Sequence, residues 1–278
     1  MRASHHHAQR GYTLIELSIS IIIALFLMGG LLTLVMHTRN TSTIQTQMQQ
    51  LQENERIAMT ILANVIQEAG YFPDPTNNTS TSLAGETENG YGAGGTGVLT
   101  FGVGQSLAGV SAVAAPGAVV ASRFVAPIGD TSGVISNSII TCGGTTNTDP
   151  AATHEFTNIF QIATVGTVTY LQCVLIKDGG GNPQTVNLVP GLYDMRVWYG
   201  VATGSDNNVA EYLTATNVTA TNNWPNVTSV KIRLYFQLPR YGFSGGQVDT
   251  AATSSAVTNQ TQYVERVIGL MSRVGVNT

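Results

Sequence analysis

Residues 17–36 read LSISIIIALFLMGGLLTLVM, an apolar stretch of twenty residues with no charged side chain and three hydroxyls. Because an α-helix rises about 1.5 Å per residue, a stretch of this length spans the ~30 Å hydrocarbon core of a bilayer. Titratable side chains flank the stretch, with Glu16 before it and His37 and Arg39 after it. The sequence therefore predicts one helix that can cross a membrane.

The composition of the whole chain excludes two broad classes of protein. Of the 278 residues only 10% are charged, and the formal net charge is −4. A nucleic-acid binder needs a basic face, and a disordered chain normally has a high charge content, so neither class fits. Residues 71–278 carry 12 acidic and 8 basic side chains. Any contact of this part with nucleic acid would need a local basic patch.

The segment before the apolar stretch indicates its orientation. Residues 1–11 are short and carry Arg2 and Arg10, and the positive-inside rule keeps such a segment in the cytoplasm. A secretory signal would have an apolar region of about 7–15 residues and a cleavage site of small residues, whereas this stretch is longer and is followed by Thr-Arg-Asn at 38–40. Hydropathy alone favours an uncleaved membrane anchor.

Glu16 argues for a more specific interpretation, because an ionisable group at the edge of a membrane span is functional by default. Residues 11–17, GYTLIEL, resemble the class III signal of type IV pilins and pseudopilins. The resemblance implies cleavage by prepilin peptidase after Gly11 and N-methylation of Tyr12. It also implies that Glu16 acts in assembly, where its carboxylate would pair with the N-terminal ammonium of Tyr12 in a neighbouring subunit. The alternative, that Glu16 only marks the membrane interface, stays open.

The polar stretch after the membrane span continues the helix. Residues 37–69 contain no proline or glycine, and apolar side chains recur every three or four positions up to Gly70. The pattern predicts a stalk helix whose second half lies against a domain and which stops at Gly70. Gly29-Gly30 within the span is compatible with close helix packing and with a kink, and both remain open.

Three short stretches point to one subgroup within the type IV pilins and pseudopilins. Residues 51–59 (LQENERIAM), 69–71 (AGY) and 196–200 (RVWYG) look like PilW-type minor pilins. The resemblance implies an α+β, type IV pilin-like fold, with the long N-terminal helix packed on an antiparallel β-rich globular head. It implies four regions: a leader peptide at 1–11, a transmembrane and filament-core helix at 12–37, an amphipathic stalk helix at 38–70, and an exported head at 71–278.

Within the head, the sequence predicts short strands separated by turns. Residues 76–97 read as an exposed loop, and the GxGxxG match at 92–97 has no strand before it and no helix after it, which argues against a dinucleotide site. Residues 177–183 (KDGGGNP) predict a hairpin turn. Residues 136–142 (SNSIITC) and 229–238 (SVKIRLYFQL) are among the stretches predicted to be β-strands.

The two cysteines, Cys142 and Cys173, are expected to form a disulfide, because an exported head meets an oxidising compartment. Two buried free thiols are the alternative. Metal binding by this pair is not expected, since neither cysteine lies in a CxxC motif.

The residue inventory predicts no enzyme, no cofactor and no metal. His154 is the one histidine outside the leader and the membrane edge, and no catalytic motif surrounds it, so it is expected at the surface. The acidic stretch from Asp206 through Asn207 and Asn208 to Glu211 lacks EF-hand spacing and is read as a turn rather than a calcium site.

The resemblance implies a minor pilin that helps to initiate type IV pilus assembly and joins the tip complex, supporting twitching motility, adhesion or DNA uptake. The implied partners are other minor and major pilins, prepilin peptidase, the inner-membrane assembly platform and a large tip adhesin, with no direct nucleic-acid contact. The chain would be inserted once in the bacterial inner membrane with its head in the periplasm, and would then reach the cell surface in the pilus. The alternatives are a J-type minor pseudopilin of a type II secretion system and a tip adhesin that binds a surface ligand.

Overall fold

A computed structural model describes most of the chain. The described residues are 13–73, 83–92, 97–111, 117–129, 139–180, 183–203, 208–237 and 261–271. The chain divides into two compact units, one up to Gln49 and one from Gln50 onward.

The long predicted helix is present and is continuous. Helix α1 runs from Leu14 to Gln67, 54 residues, and passes through Gly29 and Gly30 without interruption. Its buried side chains all fall between Leu51 and Ile66, so the amphipathic second half packs as the sequence predicts. After the helix the chain turns at Gly70, whose φ of +79° is left-handed. The Gly70 N–H donates to the Arg123 carbonyl at 2.9 Å, which joins the helix end to a strand of the head.

The described part of the head contains a hairpin, two antiparallel sheets, a short α-helix and a 3₁₀ turn. The hairpin pairs β1 (Glu86–Tyr91) with β2 (Gly97–Phe101). The five-stranded sheet has the order β3-β4-β5-β6-β7, and the four-stranded sheet has the order β11-β10-β8-β9. The strands are β3 (Leu107–Val110), β4 (Val119–Ala126), β5 (His154–Val165), β6 (Val168–Lys177), β7 (Gln184–Pro190), β8 (Leu192–Ala202), β9 (Val209–Leu213), β10 (Val227–Gln237) and β11 (Thr261–Gly269). Helix α2 (Ala215–Ala220) and the 3₁₀ turn Trp224–Asn226 connect β9 to β10.

The five-stranded sheet is covered on both faces. On one face, the Ser122 hydroxyl of β4 donates to the Val65 carbonyl of α1 at 3.4 Å. On the other face, a buried cluster joins the β1–β2 hairpin to the sheet; among its members are Tyr91, Phe101 and Ile159. Because both faces of the sheet are covered, every side chain of β4 is buried. The predicted α+β class, with a long helix and an antiparallel β-rich head, is confirmed.

Two predictions from the sequence are wrong. Residues 76–97 are not simply an exposed loop, because Glu86–Tyr91 is a strand in which Glu88 and Tyr91 are 2% and 8% exposed. The strand is not recognisable from the sequence because the polar residue Glu88 occupies a buried position in it. In the fold the Glu88 carboxylate accepts a hydrogen bond from the Thr157 hydroxyl at 2.9 Å. In addition, residues 139–142, the described part of 136–142, form no strand; residues 139–141 are irregular and a turn begins at Cys142, which is bonded to Cys173 of β6.

Candidate functional site

Glu16 is a lone carboxylate in the first turn of α1. Its backbone N–H donates to the Thr13 carbonyl at 3.1 Å, and its own carbonyl accepts from the Ser20 hydroxyl at 2.8 Å. The neighbouring side chains of Ile15 and Leu17 are 68% and 58% exposed. Among the described residues no cation pairs with the carboxylate. A negative charge at a helix N-terminus is favoured by the helix dipole, and here it stands among uncovered apolar side chains. Gly11 and Tyr12 lie outside the described residues.

The helix after Glu16 has the properties that a lipid environment requires. Its most apolar 18-residue window has a mean hydropathy of 2.6 and no buried residue, and this is one helix in the described chain that is long and apolar enough to cross a membrane. The hydroxyls within it are satisfied locally: Ser18 donates to the Ile15 carbonyl at 2.8 Å and Thr33 to the Gly29 carbonyl at 2.9 Å. A segment in hydrocarbon must satisfy its polar groups internally, so this pattern fits a membrane span.

The glycine pair in the span leaves an open strip on the helix. A Cβ added at Gly29 or Gly30 would meet nothing within 4 Å. Small residues at such a position let the backbone of another helix approach closely. The uninterrupted helix therefore favours the close-packing interpretation of this pair over a kink.

The packed half of α1 ends at a cavity of about 610 Å³. Apolar side chains including Ile61, Val65 and Leu188 line it together with Glu68. Burial raises the pKa of Glu68 to about 7, because the charged carboxylate loses water. Its Oε2 is buried without a hydrogen-bond partner among the described residues. Burial at this position therefore favours the neutral form of the carboxyl group over the charged form.

A fully buried guanidinium fixes the β1–β2 hairpin to the five-stranded sheet. Arg123 is 0% exposed; it donates to the carbonyls of Gln105 at 2.6 Å and Gly102 at 3.0 Å and pairs with Glu155 at 3.0 Å. Burial raises the pKa of Glu155 to about 7 although Arg123 opposes the shift. No local pattern in the sequence indicates this cluster, because the arginine within VVASRFVA is the one charge in a run of small and apolar residues.

His154 is more buried than the surface position predicted from the sequence, and both of its ring nitrogens lie against carboxylates. Its side chain is 16% exposed; Nδ1 lies 2.6 Å from Asp178 Oδ2 and Nε2 lies 3.0 Å from Asp149 Oδ2. Hydrogen bonds from the Ala151 N–H and from His154 hold the pKa of Asp149 below its usual range. Because carboxylates occupy both ring nitrogens, neither is free to activate a hydroxyl nucleophile. Through these two contacts His154 connects the loop before β5 with the turn after β6.

The structure places the remaining predicted residues as follows. The Cys142–Cys173 disulfide is present with the Cα atoms 6.0 Å apart, so the predicted bond is confirmed. No group of three metal-ligating side chains exists among the described residues. Of the calcium candidates, Asp206 and Asn207 lie outside the described residues and Glu211 is exposed on β9. The described ends of the GxGxxG match, Gly92 and Gly97, flank a hairpin connection and not a strand-to-helix turn.

Comparisons with known proteins find similarity to pilus proteins in two parts of the chain. The family model "Type IV Pilus-assembly protein W" matches residues 138–268, and the model "Prokaryotic N-terminal methylation motif" matches residues 6–32. A solved type IV-like pilin from Thermus thermophilus is similar at 16% identity and a TM-score of 0.42, over 79% of this chain and 95% of that one. No curated protein matches the chain.

The two family matches agree with the geometry of the described residues. The methylation motif covers the start of the uncovered apolar helix, and the PilW match covers strands β5 to β10 and most of β11. A methylation motif followed by an apolar helix fits a pilin that is anchored in the membrane and later assembled into a pilus. The PilW family consists of structural proteins. Together the two matches support a minor pilin of the PilW type.

Proposed function

We propose that this minor pilin takes part in starting type IV pilus assembly and remains in the tip complex of the pilus. One observation carries the proposal: Glu16, a carboxylate without a cation partner among the described residues, lies in the first turn of α1, just before an apolar part of the helix that has no buried side chain. Such a helix is stable only in lipid or when covered by other subunits. In this proposal it anchors the precursor first and enters the filament core later.

Processing of the N-terminus prepares the helix for assembly in this proposal. Prepilin peptidase removes residues 1–11 by cleaving after Gly11, and the new terminus at Tyr12 is methylated. The resulting ammonium pairs with Glu16 of a neighbouring subunit, because two opposite charges attract strongly where water is excluded. Residues 12–37 then form the core helix, 38–70 the stalk and 71–278 the exported head.

The proposed partners follow from the same assignment. They are other minor and major pilins, prepilin peptidase, the inner-membrane assembly platform and a large tip adhesin. The proposed role is non-catalytic and contributes to twitching motility, adhesion or DNA uptake. The match to a pilus-assembly family supports a pilus rather than a secretion system.

Mass spectrometry of the mature protein tests the proposal. Protein purified from isolated pili should begin at Tyr12 with a methylated amine, while protein from cells without prepilin peptidase should begin at Met1. A mature chain that retains residues 1–11, or one cleaved after residue 36, would contradict the proposal. Substitution of Gly11 should block processing, and the same substitution at Gly29 serves as the control because a Cβ there meets nothing within 4 Å.

A further inference from the structure

The face of the four-stranded sheet that points away from the core carries cations and aromatic rings. Along β10 the side chains alternate, with Ile232 and Leu234 fully buried and Lys231 and Arg233 partly exposed. The register places Lys231 opposite Trp198 of β8, and Arg233 between Arg196 of β8 and Glu265 of β11. We name this surface the basic–aromatic face; it consists of Arg196, Trp198, Tyr212, Lys231, Arg233 and Tyr263.

The cations of this face lie against aromatic rings. The Lys231 Nζ is 5.0 Å from the ring centre of Trp198 and 4.8 Å from that of Tyr212. The Arg233 guanidinium is 4.7 Å from the ring centre of Tyr263. Cation–π attraction at these distances restricts long, flexible side chains. A partner would therefore meet charges whose rotamer entropy is already partly lost.

The charges on this face do not balance. Arg233 pairs with Glu265 at 2.8 Å and Arg196 with Asp194 at 3.3 Å. Lys231 has no acidic partner among the described residues. Three of the eight basic side chains of residues 71–278 lie on this face, although that part of the chain is acidic overall. The result is a local positive surface on a negative head.

The composition of the face is that of a protein interface. Trp, Tyr and Arg are the residue types that dominate binding energy at protein–protein contacts. The Trp198 ring already has Lys231 over it, with the Arg233 guanidinium 5.5 Å from its centre, so it is not a free platform for stacking sugar rings. The basic–aromatic face holds the Lys231 ammonium in a fixed position between aromatic rings. A carboxylate on another protein would be electrostatically complementary to this ammonium.

We propose that the basic–aromatic face docks on a carboxylate-bearing surface of a neighbouring pilin subunit, with Lys231 as the central contact. The proposal rests on the proposed function, because it takes the partner to be another subunit of the same assembly. In the docked state an acidic side chain reaches the Lys231 ammonium between Trp198 and Tyr212. The surrounding rings exclude water and strengthen the ion pair.

Zero-length cross-linking of isolated pili tests this contact directly. A carbodiimide couples an amine to a carboxylate only when the two are in contact, and mass spectrometry identifies both residues. We expect Lys231 to be coupled to an Asp or Glu of a pilin subunit. Lys177, exposed at the end of β6, is the control and should show no comparable link. Failure of Lys231 to couple to any other pilin would overturn the proposal.

Variants of Lys231 give a second, independent measurement. We expect Lys231→Glu and Lys231→Gln to lower the amount of this chain in pili about tenfold, the change that a loss of 1.4 kcal/mol produces. Lys231→Arg should stay within about twofold of the wild type, and Lys177→Glu should leave the amount unchanged. Equal thermal unfolding temperatures of wild type and Lys231→Gln would show that the loss is not a folding defect. Undiminished Lys231→Gln in pili would overturn the proposal.

Three outcomes separate this proposal from its alternatives. If addition of a uronic-acid polysaccharide lyase abolishes the Lys231 coupling, the ligand is an anionic glycan and the protein interface is wrong. If the wild-type chain carries a methylated Tyr12 and is present in pili but Lys231 is uncoupled, only this inference fails. If the wild-type chain is absent from pili, the proposed function itself fails.

Discussion

The two halves of helix α1 are both rich in apolar side chains, but their surroundings differ. In the first half Leu32 is 55% exposed and Phe26 is 83% exposed, whereas in the second half Leu62 and Ala58 are 0% exposed. The head of the same chain covers the second half. The first half must be covered by lipid or by other subunits, because so large an uncovered apolar surface is unstable in water. One continuous helix therefore serves two separate functions.

The largest expected effect is on assembly and concerns the first half. Glu16→Ala should leave cleavage after Gly11 intact but abolish incorporation into pili, because the N-terminal ammonium of a neighbour then lacks its counter-charge. Immunoblots of sheared pili against whole cells measure incorporation. Glu53→Ala is the matched control, since Glu53 lies exposed on the same helix with Arg56 as its partner. Normal incorporation of the Glu16→Ala chain would show that this carboxylate only marks the interface.

Removal of the disulfide should weaken the head but not the anchoring half. The bond closes a loop with a sequence separation of 31, and its loss should cost roughly 3–4 kcal/mol of unfolding free energy in the chain-entropy model. Denaturant unfolding of the full chain in detergent, followed by the fluorescence of Trp198 and Trp224, measures this. The double variant Cys142→Ala/Cys173→Ala should still insert in the membrane. An unchanged unfolding midpoint would contradict the structural role of the bond.

The same substitution should destabilise the head in the second half of α1 and leave its stability unchanged in the first half. Leu62→Ala removes a fully buried side chain and should cost about 2–5 kcal/mol of unfolding free energy. Leu32→Ala should leave the unfolding of the head unchanged, because Leu32 is 55% exposed and is not one of the buried core residues. Tryptophan fluorescence in detergent distinguishes the two variants. A comparable loss in both would break the distinction between the halves.

The smallest expected effect is a pH dependence at the end of the packed half. Burial raises the pKa of Glu68 to about 7, so the folded state holds a proton that the unfolded chain releases near pH 4.5. Stability from this group is present below pH 4.5 and falls as the pH rises to about 7. Since Glu68 is only half-buried, the effect should be roughly 1 kcal/mol after solvent screening.

Glu68→Gln tests this pH dependence. The variant should match the wild type at pH 4.5 and be more stable at pH 8, with part of the decline retained because Glu155 also has a raised pKa. Glu53→Gln is the control, since the hydrogen bond from Arg56 lowers the pKa of Glu53. Identical pH profiles for the wild type and Glu68→Gln would remove Glu68 from the explanation.

Much of the fold was predictable because its signals are local. The apolar stretch, the 3–4 spacing beyond it and the glycine stop predicted α1, and alternation predicted β10. Strand β1 was missed because Glu88 occupies a buried position that an apolar residue would normally take. The Arg123 cluster was missed for a related reason, since its partners Gly102, Gln105 and Glu155 are far apart in the sequence.

The amino-acid sequence by itself determined the anchor, the candidate processing site at Gly11-Tyr12 and the candidate carboxylate Glu16, because these depend on length, charge and short motifs. It also determined that the head is acidic overall. Only the tertiary structure decided where the head is positive. Lys231 and Trp198 become neighbours through strand register, and Lys231 and Tyr212 through the order of the four strands. The amino-acid composition determines only the net charge of the head. The charge of one part of its surface depends on which distant segments pair in the sheet.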